Sequence, residues 1–572
     1  MRVQVNKADA KEVSRISKEY GIKKDLVSFL LGRGYNEELI NLLVNNKDIE
    51  YNMEYNLTNI SESADLIKQY IDNNKNIYIF GDYDSDGINA TYILSSTLLS
   101  FTDNVYTYIP ERNEGYGLSE EFCDAVIKYN TEALVITVDN GINTRALVSY
   151  LKKNNINTII TDHHKPIMNS VPEDCYIIDA HLNDKDDENA LGFCGAVVAY
   201  KLAHYLLNVT YNKEYGDGRE YLPHAAIATI NDMMPVTPEN ILIVAKGIGM
   251  MNKGDYLTPG IEYYSDYKGY KITPKDISFE FGPQINSCGR MGNVNVAFDY
   301  MFSDEDTVED LYIKMNDLNS ERKKLSEELT EKAYNSIFKT SDTNDLVTSP
   351  MYSIVAYIPN AVGIVGVVAS SLSRKFNGIT TIILTDTDDK NILTGSARSE
   401  QVNLPLLFSA EESEGNVITF GGHMEAAGIT IKKDKLDALR ESIEERLRLE
   451  AESSSGTEKE RTLTVDKKIK TKDINSRTVE KYNDILYFND LKSPMFYIED
   501  AHISDYHLSS NNANNICFHF TDENGKEKKA WCWKFTDTYK ALGEPEHVNV
   551  AFTLEKFNSM LVMDIAYMEE VE

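Results

Sequence analysis

At 572 residues the chain is longer than one hydrophobic core usually holds, and its length points to roughly three or four domains. With 42% hydrophobic and 26% charged residues it has the composition of an ordinary globular protein, which excludes a fibrous or wholly disordered chain. The net charge of −32 argues against passive wrapping of nucleic acid, which draws on a basic face. It leaves room for an enzyme that grips a few nucleotides beside bound cations.

No uninterrupted apolar run approaches a bilayer span, and residues 1–7 carry no signal-peptide core. No membrane contact is expected, and the cytoplasm is the expected compartment. Six scattered cysteines (Cys123, Cys175, Cys194, Cys288, Cys517 and Cys532) form no C-x-x-C pair. They read as reduced thiols, not as disulfides or a zinc site.

Residues 1–60 read as a polar helical cap, with Leu26, Phe29, Leu30 and Leu31 followed by Leu39, Ile40, Leu42 and Leu43. From 61 to 300, short β-branched runs alternate with amphipathic segments, the pattern of a parallel sheet with crossover helices. Candidate strands are 77–80, 105–109, 134–138, 157–161, 176–179 and 226–231. Residues 305–340 predict a long helix, with Leu311, Met315, Leu318, Leu325 and Leu329 at helical spacing, placed as a connector over 301–345. A second α/β region follows over 346–450, with strands near 353–358 and 381–385 and glycine-rich turns at 363–366, 395–398 and 421–423. Residues 451–460 have linker composition. The remainder, 461–572, alternates like a small β-domain, with turns at 511–515 and Asn524-Gly525.

The chemistry concentrates just past three apolar runs. Ile77-Tyr-Ile-Phe-Gly leads into Asp82, Asp84 and Asp86; Leu134-Val-Ile-Thr-Val leads into Asp139; and Thr161 precedes Asp162-His163-His164. An extended segment would aim Asp82, Asp84 and Asp86 the same way, with Gly87 letting the chain turn off. Strand ends of an open parallel sheet gather ligands at one edge. Carboxylate-rich ligation with a single imidazole favours two Mn²⁺ or Mg²⁺ ions over zinc. Two such ions about 3.5–4 Å apart suit in-line attack on a phosphodiester.

The same motifs, in this order, resemble the DHH phosphoesterase superfamily and within it the RecJ exonuclease family. The resemblance is carried by Pro110-Glu-Arg112-Asn-Glu-Gly-Tyr-Gly-Leu118, Cys194-Gly-Ala196, Asn286-Ser-Cys-Gly-Arg290, Gly363-Ile-Val-Gly-Val-Val-Ala-Ser370, Gly395-Ser396-Ala-Arg398 and Phe420-Gly-Gly-His423. It implies an α/β architecture: a parallel-sheet DHH domain and a smaller α/β DHHA1 domain joined by the long helix, with a C-terminal OB-like β-barrel.

By resemblance, Asp84 would bind the first ion, Asp86 the second, and Asp139 would bridge both. His163 and Asp232 would complete the second site, and His164 would sit by the scissile phosphate. Asp82 matches a family carboxylate and is open to a catalytic, first-metal or purely structural role. Arg112, Arg290, Ser396, Arg398 and His423 would hold the substrate. Three departures stand out: Asn360-Ala361 where relatives show Trp-His, Ala397 for a second glycine, and Asn286-Ser-Cys for Asn-Ala-Ala. None touches an expected metal ligand, so they bear on substrate contacts and end preference.

In the last domain, Phe518 with Phe520 and Trp531 with Trp533 each share a strand face, either to stack bases or to fill a barrel core. Arg461, Lys467, Lys468, Lys470 and Lys472 form a modest basic stretch. The implied activity is 5′-to-3′ hydrolysis of single-stranded DNA in repair or recombination, by a monomer, with a single-strand-binding protein or helicase as candidate partner. A phosphodiesterase of short oligonucleotides or cyclic dinucleotides is the alternative. A Cdc45-like replication scaffold ranks third, since such scaffolds tend to lose the ligands intact here.

Overall fold

The computed structural model describes residues 2–115, 117–183, 190–338, 351–376, 378–454, 462–557 and 559–571. Packing divides the chain into two compact units. Glu54–Asp232 with Met250–Glu458 form the larger; Met1–Met53, Met233–Gly249 and Lys459–Glu572 form the other.

The larger unit is built on a five-stranded, all-parallel sheet in the order Val105–Tyr108, Ile77–Phe80, Ala133–Val138, Ile156–Thr161, Tyr176–Ile178. Every residue of the central strand Ala133–Val138 is buried, as a parallel strand covered on both faces requires. Phe80 pairs with Thr137 and Val138 with Thr161, so three strands end together at one edge. Five of the six expected strands of this region are thus present. The sixth is not: 226–231 lies in the helix Leu222–Asn231, which has proline in its first turn and is buried from Leu222 to Ile230. An apolar run without polar alternation fits a buried strand or a buried helix equally, and periodicity does not separate them.

The acidic run also differs from expectation. It is not extended, because the helix Ser85–Leu99 starts inside it. Asp84 caps that helix, its Oδ1 accepting the Asp86 and Gly87 N–H groups at 2.9 and 3.2 Å.

The long connector is the helix Val308–Phe338; the rest of the expected span, 339–345, lies outside the described residues. A second five-stranded sheet follows in the order Thr419–Gly422, Ala426–Lys432, Ile392–Arg398, Thr380–Asp386, Ser353–Tyr357. Only its last pair is parallel. Residues 395–398, expected as a turn, lie inside the strand Ile392–Arg398. Gly395 serves close approach there: a Cβ would come within 2.2 Å of the Ile383 carbonyl oxygen.

In the smaller unit the expected helical cap contains the helices Ala10–Tyr20, Lys24–Gly32 and Glu37–Asn45, and also a strand. That strand, Arg2–Val5, pairs in parallel with Thr462–Val465. Arg33 clamps the Asp466 carboxylate beside it, Nε to Oδ1 at 3.0 Å and Nη2 to Oδ2 at 2.6 Å. The C-terminal sheet runs Lys467–Lys468, Met495–Leu508, Ile516–Thr521, Glu527–Cys532, Met560–Glu570, His547–Phe557. Its last strand pairs back onto Met495–Leu508, so the circuit of pairings closes.

Phe518 and Phe520 belong to the core inside that circuit. Trp531 and Trp533 do not: their rings stack at 5.9 Å outside it, and Trp533 is 44% exposed. Much of the basic stretch is matched by acid: Lys467 meets Asp25, Lys468 meets Glu499, and Lys472 meets Glu523. Arg461 and residues 455–460 of the expected linker lie outside the described residues.

Candidate metal centre

The parallel sheet delivers its polar residues to one edge. Asp82 follows Ile77–Phe80, Asp139 follows Ala133–Val138, and Asp162-His163-His164 follows Ile156–Thr161. Asp232 enters from the end of the helix Leu222–Asn231, which it caps through its N–H to Ala228.

These residues converge on His163. Its Nε2 lies 3.2 Å from Asp139 Oδ1 and 3.7 Å from both Asp86 Oδ2 and Asp232 Oδ2. Asp86, His163 and Asp232 form one cluster with ligand-type spacing, and Asp82, Asp84 and Asp139 form another. Asp139, beside His163, stands between the two.

The local backbone is committed to this arrangement. Asp139 sits at φ 61°, a left-handed conformation that aspartate tolerates better than most residues, at some strain. Gly195 packs against it: a Cβ there would lie 2.6 Å from Asp139 Cβ and Oδ1. Asp86 is pinned by the N-terminus of the helix Gly195–Tyr205, its two oxygens accepting the Gly195 and Ala196 N–H groups at 2.7 Å each.

The electrostatics are those of a site that favours cations. Burial, then the neighbouring Asp84, pushes Asp86 up to about 6. Burial and mutual repulsion also hold Asp82, Asp139 and Asp232 well above the usual carboxylate range. Asp82 Oδ1 is buried without a hydrogen-bond partner among the described residues. His163 is pulled down to about 3 by burial and then by His164, leaving a neutral imidazole with a lone pair to offer. Buried carboxylates around one neutral imidazole are an oxygen-rich donor set that fits Mn²⁺ or Mg²⁺.

His164 behaves differently. Burial opposes its charge, but the Nδ1 contact with Asp162 Oδ1 at 2.8 Å, and the charges of Asp162, Asp232 and Asp82, lift it to about 9. Asp162 is fully buried and also accepts the N–H groups of His163, His164 and Ile142.

A basic cluster accompanies the acidic one in the same unit. Arg290 is pushed down to about 10, by burial first and then by Arg112 and Arg322. Burial lowers Arg398 as well, with Arg112 adding to it. Arg112 lies over the Tyr83 ring at 4.4 Å, with its buried Nε unpartnered among the described residues. Arg398 donates from Nη1 to Ser396 Oγ and to the Ala397 carbonyl, both at 2.7 Å. His423 is lowered by burial and then by His164, which places the glycine-rich segment of the second sheet within electrostatic reach of the first.

All twelve expected site residues therefore lie in the larger unit. Three contributors were not anticipated. Arg322 on the connecting helix has no sequence signal beyond one charge among many. Asp162 was visible in its motif but had no role there. Asn286, whose Oδ1 accepts the Ser85 N–H at 2.8 Å, was visible in the same way.

Residues 76–229 match the model of the DHH family N-terminal domain, and residues 352–449 match the DHHA1 domain. The Bacillus subtilis single-stranded-DNA-specific exonuclease RecJ is 31% identical over 454 residues, covering 78% of this chain and 55% of that protein. The Haemophilus influenzae RecJ is 27% identical over 403 residues, covering 66% of this chain and 67% of its own. The chain thus spans little more than half the length of the Bacillus relative. Among solved structures, Thermus thermophilus RecJ in complex with Mn²⁺ shares the fold, with a TM-score of 0.78 at 21% identity over all of this chain and 79% of that one. The chain is accordingly a RecJ-like member of the DHH superfamily.

Proposed function

We propose that the protein is a metal-dependent exonuclease that hydrolyses single-stranded DNA from its 5′ end. The observation that carries this reading is the convergence of Asp86, Asp139 and Asp232 on the neutral His163, with half-buried arginines gathered in the same unit. The names of the Bacillus and Haemophilus relatives support the substrate class, and the Mn²⁺ and Mg²⁺ complexes of the Thermus protein support a divalent cofactor.

Asp82, Asp84 and Asp139 would hold one ion, and Asp86, Asp139, His163 and Asp232 the other. When bound, the ions supply Lewis acidity to a phosphodiester and its attacking water. The chain's own groups do the rest. Asp162 fixes the ring of His164, keeping a cation beside the phosphate that is cut. Arg112, Arg290 and Arg398 would bind the strand's phosphates as charge-assisted donors, with Ser396 orienting Arg398 and His423 adding a contact near His164.

Residues 61–300 would be the catalytic domain and 346–450 the substrate-binding domain, with 301–345 setting their spacing. The closed circuit of pairings supports an OB-like reading of 461–572. No helix among the described residues is long and apolar enough to cross a membrane. We place the protein in the cytoplasm, as a monomer fed by a single-strand-binding protein or helicase.

The test is single-stranded DNA labelled at one end, incubated with protein and Mn²⁺ and resolved by length over time. Stepwise loss of mononucleotides from the 5′ end, abolished by His163→Ala, is the expected result. Cleavage confined to substrates of a few nucleotides would replace this reading with a short-oligonucleotide phosphodiesterase, and no cleavage with Mn²⁺, or with Mg²⁺ in its place, would replace it with a scaffold.

A further inference from the structure

The C-terminal sheet carries a second group of ligand-type side chains with a different chemistry. His507 and Cys517 lie directly opposite each other across the antiparallel strands Met495–Leu508 and Ile516–Thr521. His519 follows Cys517 by two residues, so the pleat sends all three to one face. The opposite face holds Phe518, Phe520 and Ala530 in the core. The trio therefore does not belong to the packing that closes the sheet.

Its geometry is that of a donor cluster. His507 Nδ1 and His519 Nε2 are 2.8 Å apart. One ring nitrogen from each histidine and Cys517 Sγ all lie within 4.8 Å of one another. Cys517 and His519 are buried, whereas His507 is exposed and leaves a way in. The next strand, Glu527–Cys532, completes the surroundings. Glu527 Oε1 lies 3.1 Å from His519 Nδ1, and Trp531, opposite Cys517, stands edge-on to His507 at 5.2 Å. A carboxylate accepting from Nδ1–H leaves the Nε2 lone pair free, the arrangement that supports metal-bound imidazoles.

We propose that His507, Cys517 and His519 form a zinc-class metal site, separate from the carboxylate-rich centre and held in tautomer by Glu527. One thiolate with two imidazoles is a borderline-soft set that selects Zn²⁺ over Mn²⁺ or Mg²⁺. Three protein ligands leave a fourth position, on the exposed side of His507, for water or a further donor. Tetrahedral zinc would set the two nitrogens about 3.3 Å apart and the sulfur about 3.5 Å from each. The histidines part slightly from their 2.8 Å separation, a movement that the exposed His507 permits. Burial holds the Cys517 thiol up at about 11, so binding displaces the thiol proton, while His507 frees Nδ1 by carrying its proton on Nε2. An occupied site would pin three strands in register and block oxidation of Cys517. This proposal does not depend on the exonuclease reading.

The test uses the full chain, stripped of metal, saturated with Mn²⁺ at the carboxylate-rich centre, and titrated with Co²⁺ without oxygen. One equivalent of Co²⁺ should bring a near-ultraviolet thiolate-to-cobalt band together with visible bands of tetrahedral intensity, and Zn²⁺ should bleach both. Cys517→Ser should lose the thiolate band. His507→Gln, at an exposed position that spares the core, should weaken Co²⁺ binding about tenfold or more. Cys194 lies beside Asp86 in the other centre, so Cys194→Ser should leave the band in place. No thiolate band in the folded protein, a band that survives Cys517→Ser, or an unchanged titration in His507→Gln would overturn the site.

Discussion

Asp162 Oδ2 accepts the backbone N–H of Ile142 at 2.9 Å, and this one bond ties the loop that carries Asp139 to the strand end that carries both histidines. The same carboxylate receives His164 Nδ1, so one buried group sets the relative position of the expected ligands and the expected cation. Asp162→Asn replaces an acceptor by a donor facing another donor. We expect a stability loss of about 1–3 kcal/mol and a fall in kcat with KM for DNA little changed. Thermal unfolding and steady-state kinetics on the same preparation check both.

Gly195→Ala forces a methyl group against the Asp139 carboxylate without adding or removing a charge. The expected outcome is weaker Mn²⁺ binding and reduced turnover, read by calorimetry and by rescue at high Mn²⁺. Wild-type metal affinity would show that Asp139 can shift without cost.

Asp139→Asn should separate stability from activity. The folded state of Asp139 holds its proton more tightly than the unfolded chain does. The stability this gives is complete below the unfolded value, near 3.9, and is lost as pH rises through the higher folded value. At pH 8 without metal, keeping Asp139 buried therefore costs folding free energy, and the variant should melt higher than the parent. With Mn²⁺ the parent should gain stability that the variant does not, while activity falls by about two to three orders of magnitude. Melting curves with Mn²⁺ and with chelator give both answers.

Arg322→Ala removes a half-buried guanidinium that lowers Arg290. If it faces the strand's backbone, KM for DNA should rise about tenfold with kcat nearly unchanged. The slope of log affinity against log salt should lose about 0.7. A kcat effect alone would assign Arg322 to holding Arg290 in place.

His224 gives a pH signature away from the metal centre. Its ring is buried between Asn89 Oδ1 at 2.8 Å and Thr258 Oγ1 at 3.1 Å, and burial pulls it down to about 3. The unfolded chain then takes up a proton first as pH falls below about 6.5, so stability drops on acidification. The contribution should be about 2 kcal/mol between pH 7 and pH 5. His224→Gln should flatten the stability profile by that amount in urea unfolding.

Much of the parallel sheet is legible in the sequence because its strands are short β-branched runs that stop on polar residues. Asp139 and His163 stand out for that reason. The helix Leu222–Asn231 reads as a strand because an apolar run buried on all sides has no period to display. Asp84 hides its role as a helix cap because the run Asp84-Ser85-Asp86-Gly87 also suits a turn. The strand Arg2–Val5 is illegible in a deeper sense, since its partner lies at Thr462–Val465 and nothing local announces the pairing. Trp531 and Trp533 obey the same period as Phe518 and Phe520, and only the tertiary fold decides which pair faces inward.

The pairing of Arg2–Val5 with Thr462–Val465 also dictates an order of assembly. A ribosome releases the first strand long before its partner exists, so that strand must wait while the intervening chain emerges. The larger unit, whose sheets pair strands close in sequence, can fold meanwhile from contacts of much shorter range. Completion of the smaller unit then acts as a late checkpoint: only a chain translated past residue 465 can satisfy the backbone groups left open since residue 2.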